Sequence, residues 1–506
     1  MAPERFFLEL EPPAATQTNW PHVVIVGGGF AGLRATHRLI GKAVRVTLID
    51  KRNFNLFQPL LYQVATGLVG QADVASPLRQ LVGQASNVQV LLGEVEEIDV
   101  KAKELVFNER RYAYDHLILA TGSGSSYFGH EEWRATAPPM KILEHANEIR
   151  RRVLMALEEA EQTPDPEQRK LLQSVAVIGG GPTGCELAGS LIDLMRHSVQ
   201  RDFKQLRPSD CKVMLIDPGD RVLRAMHPKL SEAAGAYLQR AGVELVLGGR
   251  VQQINEREVV LTNKSTGEEQ RLSAGTVCWT AGVRASHLGK VLATSSGCPI
   301  DKGGRVIVEP DFSIPGYPEV RVVGDLCAYN HTSNGEPLPG MAGPAVQMGG
   351  WVASDILAKI EGQTHTSFRF SDLGSMAVVG PLYAVADLRG IRLSGLLGWL
   401  TWGLAHLAFM PEMENRLSLL LKWLWQIGTR ERDSLLIIGN RNQHMGVEVG
   451  LEERESSGQG GVQTATPTTD AEEVSAAQPQ NATQDAQPAA PLDPQPPAPA
   501  VSASEP

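Results

Sequence analysis

The sequence predicts an α/β protein built on two doubly wound parallel sheets. Three observations predict it: an apolar run that passes straight into a glycine turn and a helix-like stretch, the return of that unit 152 residues later, and an acidic residue at the tip of the strand following each copy. The 506 residues, 42% of them hydrophobic, are enough for two or three domains with their own cores.

The first copy opens with His22-Val-Val-Ile-Val26, reads on through Gly27-Gly28-Gly29-Phe30-Ala31-Gly32, and continues as a helix to about Ile40. Val44 to Asp50 is the next strand. The second copy runs Ser174 to Ile178, Gly179-Gly180-Gly181-Pro182-Thr183-Gly184, a helix from Cys185 onward, and a strand from Lys212 to Asp217. G-x-G-x-x-G alone is a weak signal, but a strand before it, a helix behind it and an acid further on make it a dinucleotide fingerprint. Gly27 permits the tight turn, Gly29 lets the backbone approach a pyrophosphate, and Gly32 allows close helix-to-strand packing, while the helix N-terminus offers free N–H donors. Asp50 sits where a carboxylate accepts ribose hydroxyls.

Gly179, Gly181, Gly184 and Asp217 repeat those roles. The 33 residues from Gly184 to Asp217 require a longer helix or an extra turn around Arg207 to Asp210. An acid at Asp217 repels a 2′-phosphate and so favours NADH over NADPH, with Arg221 and Arg224 nearby keeping the alternative open. Two such sites in one chain imply one lodged dinucleotide facing one that comes and goes.

Between the copies, Ile142, Ala146, Ile149, Val153 and Leu157 at helical spacing predict a connector helix that ends at Thr163-Pro-Asp-Pro166. Its run Arg150-Arg151-Arg152 reads as a solvated face. The five cysteines, Cys185, Cys211, Cys278, Cys298 and Cys327, form no C-x-x-C or C-x4-C pair, so they read as small buried residues; no disulfide framework or metal site is expected. Residues 451–506 contain nine of the 32 prolines and −8 of the net charge of −10, leaving −2 for the rest. That segment reads as a disordered tail, and the near-neutral body gives no support for a general grip on nucleic acid. The first 20 residues carry Glu4, Glu9 and Glu11 with no apolar stretch, which fits neither a secretion signal nor a transit peptide.

Further motifs carry a resemblance. Tyr114 to Gly122 ends in Ala120-Thr121-Gly122, and Val320 to Asp325 ends in Gly324-Asp325. These are similar to the A-T-G and G-D motifs of flavoproteins with two dinucleotide-binding domains, the glutathione reductase-like superfamily, in which the first fingerprint holds FAD and the second NAD(P)H. With no cysteine pair for disulfide chemistry, the branch is suggested by Phe54 to Gly67, Gly181 to Gly189, Trp279 to Val283, Leu338 to Gln347 and Gly374 to Ala377. Over roughly residues 22–440 the chain resembles type II NADH dehydrogenase, the single-chain NADH:quinone oxidoreductase family. Ala342-Gly-Pro-Ala-Val-Gln347 departs from that family's A-Q-x-A-x-Q, and Leu373 stands where many members have lysine.

The resemblance implies two Rossmann-like domains, the NAD(P)H domain inserted in the FAD domain, followed by an amphipathic helical membrane anchor. The expected boundaries are an N-terminal extension over 1–20, the FAD domain over 21–130 and 286–385, connector and NAD(P)H domain over 131–285, membrane-associating helices over 386–440, and the tail over 441–506. Around FAD it adds Phe30, Ala31, Lys51, Gln58, Ala120, Thr121, Gly122, Asp325, Ala345 and Gln347 to the fingerprint residues. Around NADH it adds Pro182, Thr183, Glu186 and Gly282. Glu186 is implied near the nicotinamide as a proton relay, and Gln347 beside the isoalloxazine as a positioner of the quinone. Hydride transfer between stacked rings needs no acid or base; quinone reduction takes up two protons.

Leu393 to Met410 is free of formal charge over 18 residues, borderline for a span, and Arg416 to Gly428 places Leu417, Leu420, Leu421, Leu424 and Ile427 on one face with Ser418, Lys422 and Trp425 opposite. Two such helices read as an in-plane anchor, with a buried core or a homodimer seam as the alternative. The expected partners are a membrane quinone and the bilayer surface, at the cytoplasmic face of the inner membrane, without ion pumping. Two rival readings remain: a sulfide:quinone-type oxidoreductase using Cys298 or Cys327, and a flavin-bearing redox sensor that docks through its tail.

Overall fold

The computed structural model describes residues 19–332, 335–432 and 434–438. The tail expected at 441–506 and nearly all of the extension expected at 1–20 lie outside the described residues.

Both predicted sheets are present. In the first, the parallel strands run Val88–Leu92, Arg45–Asp50, His22–Val26, His116–Leu119, Tyr317–Val322, with Ser313–Ile314 antiparallel at the edge. In the second they run Val243–Leu247, Lys212–Asp217, Ser174–Ile178, Thr276–Trp279, all parallel. The strand that enters each glycine turn is central and buried, as its Val and Ile content demands when helices cover both faces. Strand order reverses beside it, which opens a crevice at its carboxyl end.

The repeat reaches further than its motifs. Each copy inserts a three-stranded antiparallel meander between its third and fourth strands: Val95–Asp99, Glu104–Phe107 and Arg110–Ala113 in the first, Gly249–Asn255, Glu258–Asn263 and Glu269–Ser273 in the second. The whole second unit lies between His116–Leu119 and Tyr317–Val322 of the first sheet, so it is an insertion. The chain leaves through Ser123–Ser125 and returns through Val283–Ala285, and these two strands pair antiparallel.

The long interval before Asp217 has both expected causes. The second glycine helix, Pro182–Asp202, has 21 residues against 10 in Phe30–Leu39, and a 3-10 turn at Pro208–Asp210 follows it. The connector helix spans Leu143–Gln162. Its arginines correct the expectation of a solvated face, since Arg150 and Arg151 are buried. Arg151 and Arg152 donate to buried Glu148 at 2.8 and 2.6 Å, while Arg150 bonds the Val64 carbonyl and Asn147. A carboxylate one turn earlier lets the cations lie against the core.

Helix Ala342–Ile360 crosses Phe30–Leu39 so closely that a Cβ on Gly349 would overlap the Ala31 carbonyl. Fully buried Arg321 pins it to the sheet, donating to Asp311 at 2.8 Å and Asp355 at 3.2 Å.

The strands Ser375–Gly380, Tyr383–Leu388 and Ile391–Gly395 form an antiparallel sheet on the second glycine helix, where a Cβ on Gly189 would overlap the Val379 carbonyl. The boundary expected at 385 therefore falls inside a strand. A hydrogen-bonded meander cannot be divided there, and the sheet forms one C-terminal module with helices Leu396–Phe409 and Met413–Thr429. Leu393 to Gly395 belong to its last strand, which shortens the uncharged stretch to a 14-residue helix. Among the described residues no helix is long and apolar enough to cross a membrane.

The polar side of the last helix faces inward rather than outward. Ser418 and Lys422 donate to buried Asp73 at 2.9 and 2.6 Å, while Trp425 joins Leu417, Leu421 and Leu424 on the exposed side. Burying one carboxylate under the helix draws the hydroxyl and the ammonium to it and turns the leucines to solvent.

Candidate active site

The two glycine turns have the same construction. Gly27 and Gly179 have φ of 103° and 114°, where a side chain is strained. Gly29 and Gly181 face open space, and a Cβ on Gly32 or Gly184 would overlap the carbonyl of Gly27 or Gly179. These are the turn, approach and packing positions that the spacing assigned. Both strand-tip acids brace the turns: Asp50 accepts Gly28 N–H at 2.5 Å and Arg52 N–H at 2.7 Å, and Asp217 accepts Gly180 and Gly219 N–H at 2.7 Å each. Burial pushes the Asp50 carboxyl above its usual range, and the two N–H donors oppose that rise. Pro182 opens the second helix, where the missing N–H costs nothing.

A cavity of about 230 Å³ lies over the first turn. Gly27, Gly29, Phe30, Ala31, Asp50, Lys51, Gln58, Ala120, Thr121, Gly122, Asp325 and Ala345 line it, and Gly32 lies behind it in the helix packing. Asp325 follows the late strand Tyr317–Val322 and accepts the Ser123 hydroxyl at 2.8 Å. The buried Thr121 hydroxyl has no partner among the described residues. A glycine cradle, a braced acid and an unspent hydroxyl fit FAD.

A second cavity of about 270 Å³ is lined by Thr183, Glu186 and Gly282 together with Tyr62, Trp279 and Thr280. It shares Phe30, Gln58, Lys141, Asp325 and Ala345 with the first, so the two meet. Burial pushes the Glu186 carboxyl up to about 8, opposed by the Val378 N–H, which it accepts at 3.4 Å. The acid is protonated at neutral pH. Glu186 and Tyr62 also line a third cavity, of about 470 Å³, on the side of the C-terminal module. Trp399, Trp402 and Trp423 contribute to its wall, and the buried Trp402 indole N–H has no partner among the described residues.

Of the expected site residues, Gly179, Gly181, Pro182, Gly184 and Asp217 form the second turn outside these three cavities, and Gln347 also stands apart from them. Its amide bonds the backbone of Ser371 in both directions at 2.9 Å, and it lines none of these three cavities. Ala345 faces the cofactor space, and Gln347, two residues on, points well around the helix from it. Sequence reasoning missed Lys141, Ser123 and Tyr62. Tyr62 stood inside a quoted motif without a role. Lys141 and Ser123 had no fingerprint, because they reach the site only through the packing of the two domains.

All five cysteines are free and buried, and burial pushes the thiols of Cys211 and Cys278 up to about 12 and those of Cys185, Cys298 and Cys327 upward as well. Thiolate chemistry is suppressed at each.

Two dinucleotide cradles that meet at a shared stretch define a pyridine-nucleotide-dependent flavoprotein. The family described as pyridine nucleotide-disulphide oxidoreductase matches residues 21–349. The chain is 39% identical over 434 residues to the type II NADH:quinone oxidoreductase Ndh of Mycobacterium tuberculosis, covering 84% of this chain and 92% of that protein. It is 38% identical over 424 residues to NdhA of the same organism, covering 82% and 89%. Its fold superposes on NDH2 of Plasmodium falciparum, solved in complex with NADH, with a TM-score of 0.74 at 18% identity, covering 82% of this chain and 99% of that one. The chain belongs to the type II NADH:quinone oxidoreductases, enzymes that use FAD and NADH.

Proposed function

We propose that NADH oxidation and quinone reduction occupy opposite sides of one wall. The nicotinamide takes the second cavity, and a lipid-borne quinone takes the third. The observation that carries this reading is that Glu186 and Tyr62 line both. FAD supplies a ring that accepts a hydride and passes on two electrons. Gly27, Gly29 and Asp50 would hold its adenosine and pyrophosphate end, and Asp325, Gln58 and Ala345 would flank its ring end. Gly179, Gly181, Pro182, Thr183, Gly184 and Asp217 would hold NADH, with Gly282 on the wall of the second cavity, where it lets the Ser126 carbonyl and the Phe128 ring pack closely. Glu186, protonated at neutral pH, gives a proton to the quinone side and regains one from solvent. Gln347 anchors the Ser371 segment instead of touching the quinone.

Access follows from the C-terminal module. Leu397, Leu404, Leu417, Leu421, Leu424 and Trp425 are exposed on the helices whose tryptophans wall the third cavity. Such a face fits insertion into one leaflet, and for a bacterial respiratory enzyme this is the cytoplasmic face of the inner membrane. A homodimer would cover the same leucines, and detergent-free sedimentation distinguishes it from lipid docking. Ile192→Phe, which fills the third cavity, tests the division of labour: KM for the quinone rises several-fold while anaerobic flavin reduction by NADH is unchanged. An unchanged quinone KM, or a slowed NADH step, contradicts it.

A further inference from the structure

Lys141 has no part in the reaction described above, yet it lies where the first and second cavities meet. Five residues line both the first and the second cavity: Phe30, Gln58, Lys141, Asp325 and Ala345. FAD held at the first glycine turn would extend towards the second cavity, and this shared stretch would then receive its ring end. Of the five, Lys141 alone carries a positive charge. Among the described residues it is also the only cationic side chain lining the second cavity.

The neighbouring charges leave it one ion pair, with Asp325, and no hydrogen bond. Lys51 is paired with Glu94 at 3.9 Å and Arg52 with Glu144 at 3.5 Å, both beyond the strand tip that holds the adenosine end. Asp325 is the acid facing Lys141, but its Oδ2 lies 3.7 Å from Nζ, outside hydrogen-bond reach, and takes its hydrogen bond from the Ser123 hydroxyl at 2.8 Å. Glu186, the other acid in the second cavity, is held neutral by burial. The Lys141 ammonium therefore has no hydrogen-bond partner among the described residues, and its side chain is only 16% exposed. Its backbone is fixed, because the Lys141 carbonyl accepts the Gln58 amide at 2.8 Å. A fixed, half-dry cation with unused donors is built to meet negative charge.

We propose that Lys141 is the positive group that stabilises the negative charge gained by the flavin ring when it receives a hydride, and that it thereby sets the reduction potential of the cofactor. A ring that takes two electrons and one proton is more negative by one charge. A cation near it favours that form over the oxidised one, and the field is strong in a site walled by Phe30, Ala345 and Trp279. The inference rests on the chain holding FAD at the first fingerprint.

The test compares purified holoenzyme with Lys141→Met and Lys141→Arg. With Met, FAD remains bound, the midpoint potential becomes more negative, and the affinity of the bound flavin for sulfite, which also leaves negative charge on the ring, falls by about tenfold or more. Arg restores both values towards those of the native enzyme. Three results overturn the proposal: a Met variant with unchanged potential and sulfite affinity, an Arg variant that shifts as far as Met, or a Met variant that loses FAD, which would make the lysine a group that holds the cofactor in place. Native protein that purifies without flavin would be a different failure, that of the function itself.

Discussion

Glu186 shows how one buried side chain turns position into chemistry. Its carboxyl titrates near 8 because burial disfavours the charged form more than the Val378 N–H favours it. At saturating NADH, quinone reduction should decline as pH rises through about 8, where the donor loses its proton. Glu186→Gln should flatten that limb and lower the rate by about ten- to a hundredfold, the range for a lost proton-transfer group, and a pH profile of stopped-flow flavin reoxidation checks both. The folding linkage has the same origin. The folded state binds more protons than the unfolded one between the ordinary carboxyl value and about 8, so this group's contribution falls as pH rises through that window, and Glu186→Gln should make urea stability less pH-dependent there. Glu186 was legible in the sequence as a residue of interest through its motif. Its environment was not, because the wall it shares with Tyr62 is closed by Val378, 192 residues away.

At the scale of elements, glycine turns and acid-tipped strands were readable because their geometry is local. A turn at φ of 103° and helix packing with no room for a Cβ admit few residues other than glycine. What failed depends on which face of a helix distant elements cover. Arg150 to Arg152 read as surface charge until buried Glu148 and the Val64 carbonyl are placed against them. Ser418 and Lys422 read as the wet side of a helix until Asp73 lies beneath them. Removing one partner of a buried pair leaves a charge without compensation, which costs about 3–5 kcal/mol. Glu148→Ala, which leaves buried Arg151 without its carboxylate, should therefore destabilise the enzyme by about that amount, measured by denaturant unfolding, while Arg111→Ala, whose partner Glu104 lies at the surface, should cost less than about 1 kcal/mol.

At the scale of the whole molecule, the chain is two copies of one dinucleotide unit, one threaded into the other, closed by a module that links the reaction site to an apolar face. The link is continuous: Trp423 donates to Gln63 at 3.0 Å, and Gln63 donates to the Tyr62 hydroxyl at 2.9 Å, beside Glu186. Replacing Leu417, Leu421 and Leu424 with glutamate should abolish flotation with liposomes and lower activity with long-chain quinone, while activity with a water-soluble short-chain quinone persists. Deleting residues 451–506 should leave NADH:quinone turnover unchanged, because that composition lacks the apolar area to form part of a site. The most direct measurement is anaerobic mixing of the purified protein with NADH and then with a quinone analogue, following flavin absorbance. Bleaching on the first addition and return of the yellow colour on the second is the expected result, and protein that carries no flavin, or whose flavin stays oxidised with NADH, would contradict the account.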